Sequence, residues 1–191
     1  MSLPEDVRDV AVLVSRALEK AGIDYAIGGS VASSFQGEPR FTNDIDFAVR
    51  LSDAQIPKLV AALGSEFSVD EEALAEAVRL RRSSNIFYLP LVTKIDLFVR
   101  GGEPFDESEL ARRVRVKVGS QGDEVWLASP EDNLLRKLLW YRAGGQVSDQ
   151  QWRDITGIAR IVGPSLDRSY LLAWARRLGV EDLLKRTKLV D

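Results

Sequence analysis

Residues 28–47 read GGSVASSFQGEPRFTNDIDF, and the two ends of that stretch decide the fold. Its last part is extended. Asp44 and Asp46 alternate with Ile45, Phe47 and, further on, Val49, and successive strand side chains point to opposite faces, so both acids leave one face while the apolar residues enter a core. Its first part is a turn. Tyr25-Ala26-Ile27 forms a short apolar strand that stops at Gly28-Gly29, and Ser30 opens a helix of small residues, Val31 to Phe35, closed by Gly37. Strand, glycine turn and helix start together make an anion site: backbone N–H groups and the positive end of the helix dipole point in front of Gly29 and Ser30, where the missing side chains let a phosphate approach. The Ser30 hydroxyl caps the helix or donates to a phosphate oxygen.

A second strand, Thr93 to Val99, carries a further carboxylate in Lys94-Ile95-Asp96. The chain has no histidine and no cysteine, which removes disulfides, thiolate metal sites and the commonest catalytic base. Any base or metal ligand is then Asp or Glu. Oxygen ligands alone select a hard cation, Mg²⁺ or Mn²⁺, over zinc, and Mg²⁺ needs only one or two protein carboxylates beside water and phosphate oxygens.

Taken together, the Gly28-Gly29-Ser30 turn, Gly37, Arg40, Thr42 and Asp44-Ile45-Asp46-Phe47 resemble the signature of the nucleotidyltransferase superfamily with the DNA polymerase β-like fold, and are similar to stand-alone bacterial members of the abortive-infection toxin type. The resemblance implies that the Gly-Ser turn binds the triphosphate of an NTP substrate, that Asp44 and Asp46 bind metal, and that Asp96 completes the site as a ligand or as the base. It further implies nucleotide-binding roles for Arg40, Thr42 and Lys94. A looser similarity continues through Ser129-Pro130-Glu131-Asp132, Lys137, Arg142 and Arg153-Asp154, and adds Lys137 and Asp154 to the nucleotide-binding set.

The 191 residues, 45% apolar and 29% charged, are enough for a real core in one domain or two small ones. No run approaches the ~18 apolar residues of a membrane span, and the first residues lack a basic region followed by an apolar core, so the chain reads as cytoplasmic. Net charge is −3, which argues against bulk attraction to nucleic acid. The halves differ: residues 130–191 hold eleven Lys/Arg and eight Asp/Glu, +3, which leaves −6 for residues 1–129.

Periodicity predicts an amphipathic helix from residue 4 to about 20 with a Ser2-x-x-Glu5 capping pair, helices from Ser52 to Leu63 and from Asp70 to about Leu80, and strands 85–89 and 93–99 joined at Pro90. Residues 112–118 predict a strand with one basic face of Arg113, Arg115 and Lys117, and Glu124 to Leu127 another. From Ser129 the pattern is helical, with breaks at Gly144-Gly145 and Gly163-Pro164 and Trp140, Trp152 and Trp174 as anchors between helices. The predicted architecture is α/β: a nucleotidyltransferase-type mixed sheet with flanking helices over residues 1–129, then a small helical bundle over residues 130–191 that packs over the cleft.

The reading of function is a Mg²⁺-dependent nucleotidyltransferase that moves an NMP to a hydroxyl of an RNA, a protein or a small molecule. The toxin-like resemblance favours RNA or protein as acceptor and implies an antitoxin-like protein partner. The alternative is a non-catalytic nucleotide-binding or antitoxin-like module that acts through a protein partner.

Overall fold

The computed structural model describes residue 4 and residues 6–36, 42–118 and 122–190; the expected Ser2-Glu5 cap, Gly37 and Arg40 lie outside them. The chain divides into two compact units, residues 1–31 with 41–128, and residues 32–40 with 129–191. Residues 32–36, placed by sequence in the N-terminal core, thus group with the C-terminal helices.

The first unit is built on a mixed seven-stranded sheet. Its strands are β1 (Asp24–Ile27), β2 (Asp44–Arg50), β3 (Phe67–Val69), β4 (Ser83–Tyr88), β5 (Thr93–Val99), β6 (Val114–Val118) and β7 (Asp123–Leu127), in the spatial order β3-β4-β5-β2-β1-β7-β6. At the centre, β2 runs parallel to β5 and antiparallel to β1. Alternation is regular. Ile45, Phe47 and Val49 of β2, Ile86 and Tyr88 of β4, and Ile95, Leu97 and Val99 of β5 are buried in one core, and each such side chain contributes about 1.5–3 kcal/mol.

That core is covered by α1 (Val7–Lys20), α3 (Ile56–Leu63) and α4 (Glu71–Leu80). The first helix starts later than its periodicity predicts, because the Asp6 carboxylate accepts the Arg8 and Asp9 backbone N–H groups and fixes the N-cap there. Pro57 is tolerated in the first turn of α3, after a 3₁₀ turn at Asp53–Gln55 with the Ser52-Gln55 capping box. On the opposite face, Leu110 of α5 (Pro104–Ala111) packs with Ala26 and Ala128.

The expected basic strand is corrected in two respects. It begins at Val114, with Arg113 before it, and two of its three basic side chains are neutralised: Arg113 pairs with Asp24 at 2.9 Å, Arg115 pairs with Glu124 at 3.2 Å, and both guanidinium groups lie over the Trp126 ring.

The second unit holds the end of α2 (Gly29–Gln36), then α6 (Pro130–Ala143), α7 (Asp149–Ile161), α8 (Arg168–Arg177) and α9 (Glu181–Arg186). Its interior is partly polar. Asp132 accepts hydrogen bonds from Ser129 at 2.6 Å and the Tyr170 hydroxyl at 2.5 Å, Glu131 accepts the Asp167 N–H, and the Asn133 amide donates to Gln36 at 2.8 Å and to Ser33 at 3.3 Å. The tryptophans are half-buried: Trp152 of α7 is an anchor between helices, its ring against Tyr141 of α6 with Arg186 over it, whereas the Trp174 ring contacts Tyr170 of its own helix. Among the described residues, no helix is long and apolar enough to cross a membrane.

Tyr25 illustrates how the core responds to pH. Its phenol is pushed up to about 12, chiefly by burial, with Glu19 adding to the effect against the Trp126 backbone N–H, whose hydrogen bond lowers it. An unfolded tyrosine titrates near 10. The folded form therefore keeps its proton longer, and the stabilisation is complete below pH 10 and is lost as pH rises toward 12, by up to about 3 kcal/mol. Urea unfolding at pH 9 and pH 12 is expected to show a steeper loss of stability for the parent than for Tyr25→Phe.

Candidate active site

The sequence places its acids on the central strands, and the register brings them together. In the parallel pairing of β2 with β5, Asp44 stands opposite Lys94 and Asp46 opposite Asp96. Opposed residues share a face and alternation sends their neighbours to the core, so Asp44, Asp46, Lys94 and Asp96 project from the face opposite Ile45, Phe47, Ile95 and Leu97. Asp44 is exposed, and Asp46 and Asp96 are half-buried.

The glycine turn meets this row directly. The Gly28 N–H donates to the Asp46 carbonyl at 2.9 Å, which carries the β1–β2 pairing one step beyond Ile27. Gly29, the first residue of α2, has φ +57°, and a Cβ built there would lie 1.7 Å from Asp46 Oδ2. Position 29 is therefore closed to side chains twice over, by its left-handed backbone and by the Asp46 carboxylate seated against it. Ser30 follows within the same helix start, half-buried.

Lys94 brings a cation to the row. Its ammonium donates to Asp96 Oδ2 at 2.9 Å, and its pKa is raised by that hydrogen bond first and by the charges of Asp96, Asp44 and Asp46, against burial. Thr42 lies at the mouth of β2, where its hydroxyl donates to the Asp44 carbonyl at 3.2 Å and accepts the Asp44 N–H at 3.3 Å. It shapes the backbone that delivers Asp44.

Lys137 and Asp154 belong to the second unit and pair with each other at 2.8 Å, both nearly buried. Arg142, from the same stretch of the looser similarity, pairs with Asp182.

Two residues on the same sheet face escape a motif-based reading. Antiparallel pairing sets Asn85 of β4 opposite Asp96 and Phe87 opposite Lys94, and both are exposed. The row across the sheet is thus Gly28-Gly29, Asp46, Asp96, Asn85. The signal lay in the β4 alternation, Asn85 and Phe87 out against Ser84, Ile86 and Tyr88 in, but only the register identifies their neighbours.

The donor set fits a hard divalent ion. Asp44 and Asp46 supply two carboxylates on one face, as many as Mg²⁺ uses. Among the described residues, no group of three or more acidic side chains stands ready to hold a metal ion, and Asp96 is engaged by Lys94.

No protein-family model and no curated protein matches the chain. Solved structures do match: an antigenic nucleotidyltransferase-like protein from Paracoccidioides brasiliensis is 21% identical, over 95% of this chain and 92% of its own, with a TM-score of 0.52. The likeness is one of fold, and it agrees with the α/β sheet architecture expected from the sequence.

The two glycines of the turn are expected to behave differently. A Cβ at Gly28 meets nothing within 4 Å, whereas one at Gly29 collides with Asp46 on a positive-φ backbone. Thermal denaturation should show Gly28→Ala within about 1 kcal/mol of the parent and Gly29→Ala destabilised by more than that. Equal stabilities would mean that the Asp46 carboxylate does not rest on the turn.

Proposed function

We propose that this chain transfers a nucleoside monophosphate from a nucleoside triphosphate to an acceptor hydroxyl and releases pyrophosphate. The observation that carries the reading is the contact of Gly29 with Asp46, which joins an anion-binding helix start to a carboxylate row on one sheet face. The Gly29-Ser30 turn and helix start cradle the β and γ phosphates. Asp44 and Asp46 would hold a magnesium or manganese ion, whose charge offsets that developing on the phosphoryl oxygens.

The attacking hydroxyl oxygen bonds to the α-phosphorus, the bond to the bridging oxygen breaks, and pyrophosphate leaves with that electron pair. In a chain without histidine, a carboxylate is the available proton acceptor, and Asp96 takes this role. In-line displacement sets the acceptor on the side of the α-phosphorus away from the leaving group. With pyrophosphate held over the end of β1, the acceptor lies over β5 and β4, beside Asn85 and Phe87.

The acceptor classes to be tried are RNA, protein and small molecules. The resemblance to abortive-infection toxins puts RNA and protein first, with an antitoxin-like partner, while the −6 charge of residues 1–129 opposes a long polyanion over the sheet. Thr42 and Lys94 complete the nucleotide side, and Arg40 is assigned to it by resemblance.

A second reading, a nucleotide-binding module without transfer, draws on one observation: the Lys94–Asp96 pair is what an acid of purely structural role would also show. Single-turnover transfer separates the two, using each labelled NTP with Mg²⁺ and either total RNA or cell lysate, beside calorimetric nucleotide binding. Asp44→Asn and Asp46→Asn are expected to abolish transfer at unchanged thermal stability. Asp96→Ala is expected to keep nucleotide affinity and to lose transfer by about two to four orders of magnitude, the usual contribution of a positioned acid or base. Turnover unchanged in the Asp44 and Asp46 variants would overturn the assignment. Nucleotide binding without transfer in the parent, for every acceptor pool, would establish the second reading.

A further inference from the structure

Three carboxylates on adjacent positions of two strands repel one another, and something must offset them in the absence of ligand. The sheet supplies the answer within its own register. Lys94 is the cross-strand neighbour of Asp44 and lies two residues before Asp96 on the same face. Its ammonium is hydrogen-bonded to Asp96 and lies within the field of Asp44 and Asp46. The side chain is 38% exposed, so it rests in the cluster without being locked there, and four carbons of stem let its head swing away.

We propose that Lys94 is a resident counter-cation that makes the carboxylate site select a metal–nucleotide complex over a bare divalent ion. The inference rests on the metal-binding reading above and deepens it. A bare ion entering the row brings positive charge against an ammonium already there and must displace it into solvent, with no new anion to pair with it. A metal–triphosphate complex brings its own negative oxygens. The ammonium released from Asp96 then pairs with phosphate, so the charge that opposes bare metal favours the complex. The same exchange releases the Asp96 carboxylate for its part in transfer, which links occupancy of the nucleotide site to the readiness of the third acid.

The test uses binding alone. Mn²⁺ is titrated into the full chain and followed by paramagnetic resonance of unbound Mn²⁺. The preformed Mn²⁺ complex of a triphosphate analogue with a non-cleavable α,β bridge is titrated by calorimetry. Lys94→Met keeps the stem and removes the charge, and Lys94→Arg keeps the charge. Relative to the parent, Lys94→Met is expected to bind bare Mn²⁺ about tenfold more tightly and the complex several-fold more weakly, the scale of one partly solvated charge. Lys94→Arg should stay near the parent for bare Mn²⁺, and thermal unfolding of both variants shows that they are folded. Unchanged or weaker binding of bare Mn²⁺ by Lys94→Met, where the parent does bind the complex, would overturn the role of Lys94 and leave the metal reading intact. Failure of the parent to bind either form would overturn the metal reading and the inference together.

Discussion

The parallel pairing of β2 with β5, in the register that sets Asp46 opposite Asp96, is the constraint on which the candidate site depends. It fixes three things at once. Ile45, Phe47, Ile95 and Leu97 enter the core, the acids leave from the other face, and Lys94 arrives between Asp44 and Asp96. A slip of one residue would turn the whole apolar set of a strand to the solvent face and the acids into the core, so the burial of four large side chains guards the chemistry of the opposite face. Hydrophobic packing thereby determines carboxylate spacing without touching a carboxylate.

The glycine turn is anchored to the same register. Because the Gly28 N–H continues the β1–β2 pairing onto the Asp46 carbonyl, the backbone that starts α2 is positioned by the strand that carries the acids. Gly29 then brings its bare Cα against the Asp46 carboxylate. Glycine turn and acid row are two ends of one hydrogen-bonded ladder. Further along α2, Ser33 and Gln36 accept hydrogen bonds from Asn133, which ties the end of the helix into the polar interior of the second unit.

Much of this arrangement was legible in residues 25–47 and 93–99, since period-two alternation and a strand-glycine-helix pattern are local signals that tertiary packing reinforces. What escaped was short or pairwise. β3 has three residues and α9 six, too few for a period to show. The Lys94–Asp96 and Lys137–Asp154 pairs, the membership of Asn85 and Phe87 in the site face, and the neutralisation of Arg113 and Arg115 by Asp24 and Glu124 all depend on which residues stand opposite one another. Register settles those relations, and a motif does not contain it. The burial of the Glu131-Asp132-Asn133 run is likewise not contained in the local pattern, and its hydrogen bonds to Asp167, Tyr170, Ser33 and Gln36 are what make that burial tolerable.

The two lysine–aspartate pairs differ in a way that bears on what each can do. Lys137 and Asp154 are 5% and 9% exposed, and Lys94 is 38% exposed beside an Asp96 at 14%. Separating a buried pair leaves an uncompensated charge away from water and costs about 3–5 kcal/mol, whereas a pair whose ammonium reaches solvent costs less to separate. A ligand of ordinary affinity can therefore draw Lys94 away from Asp96, but it can recruit Lys137 only with Asp154 still attached. Of the two pairs, the one on the sheet face is therefore the one whose charge can be exchanged. Between α6 and α7 the pairing is held, and any positive charge it offers comes with the orientation that Asp154 imposes.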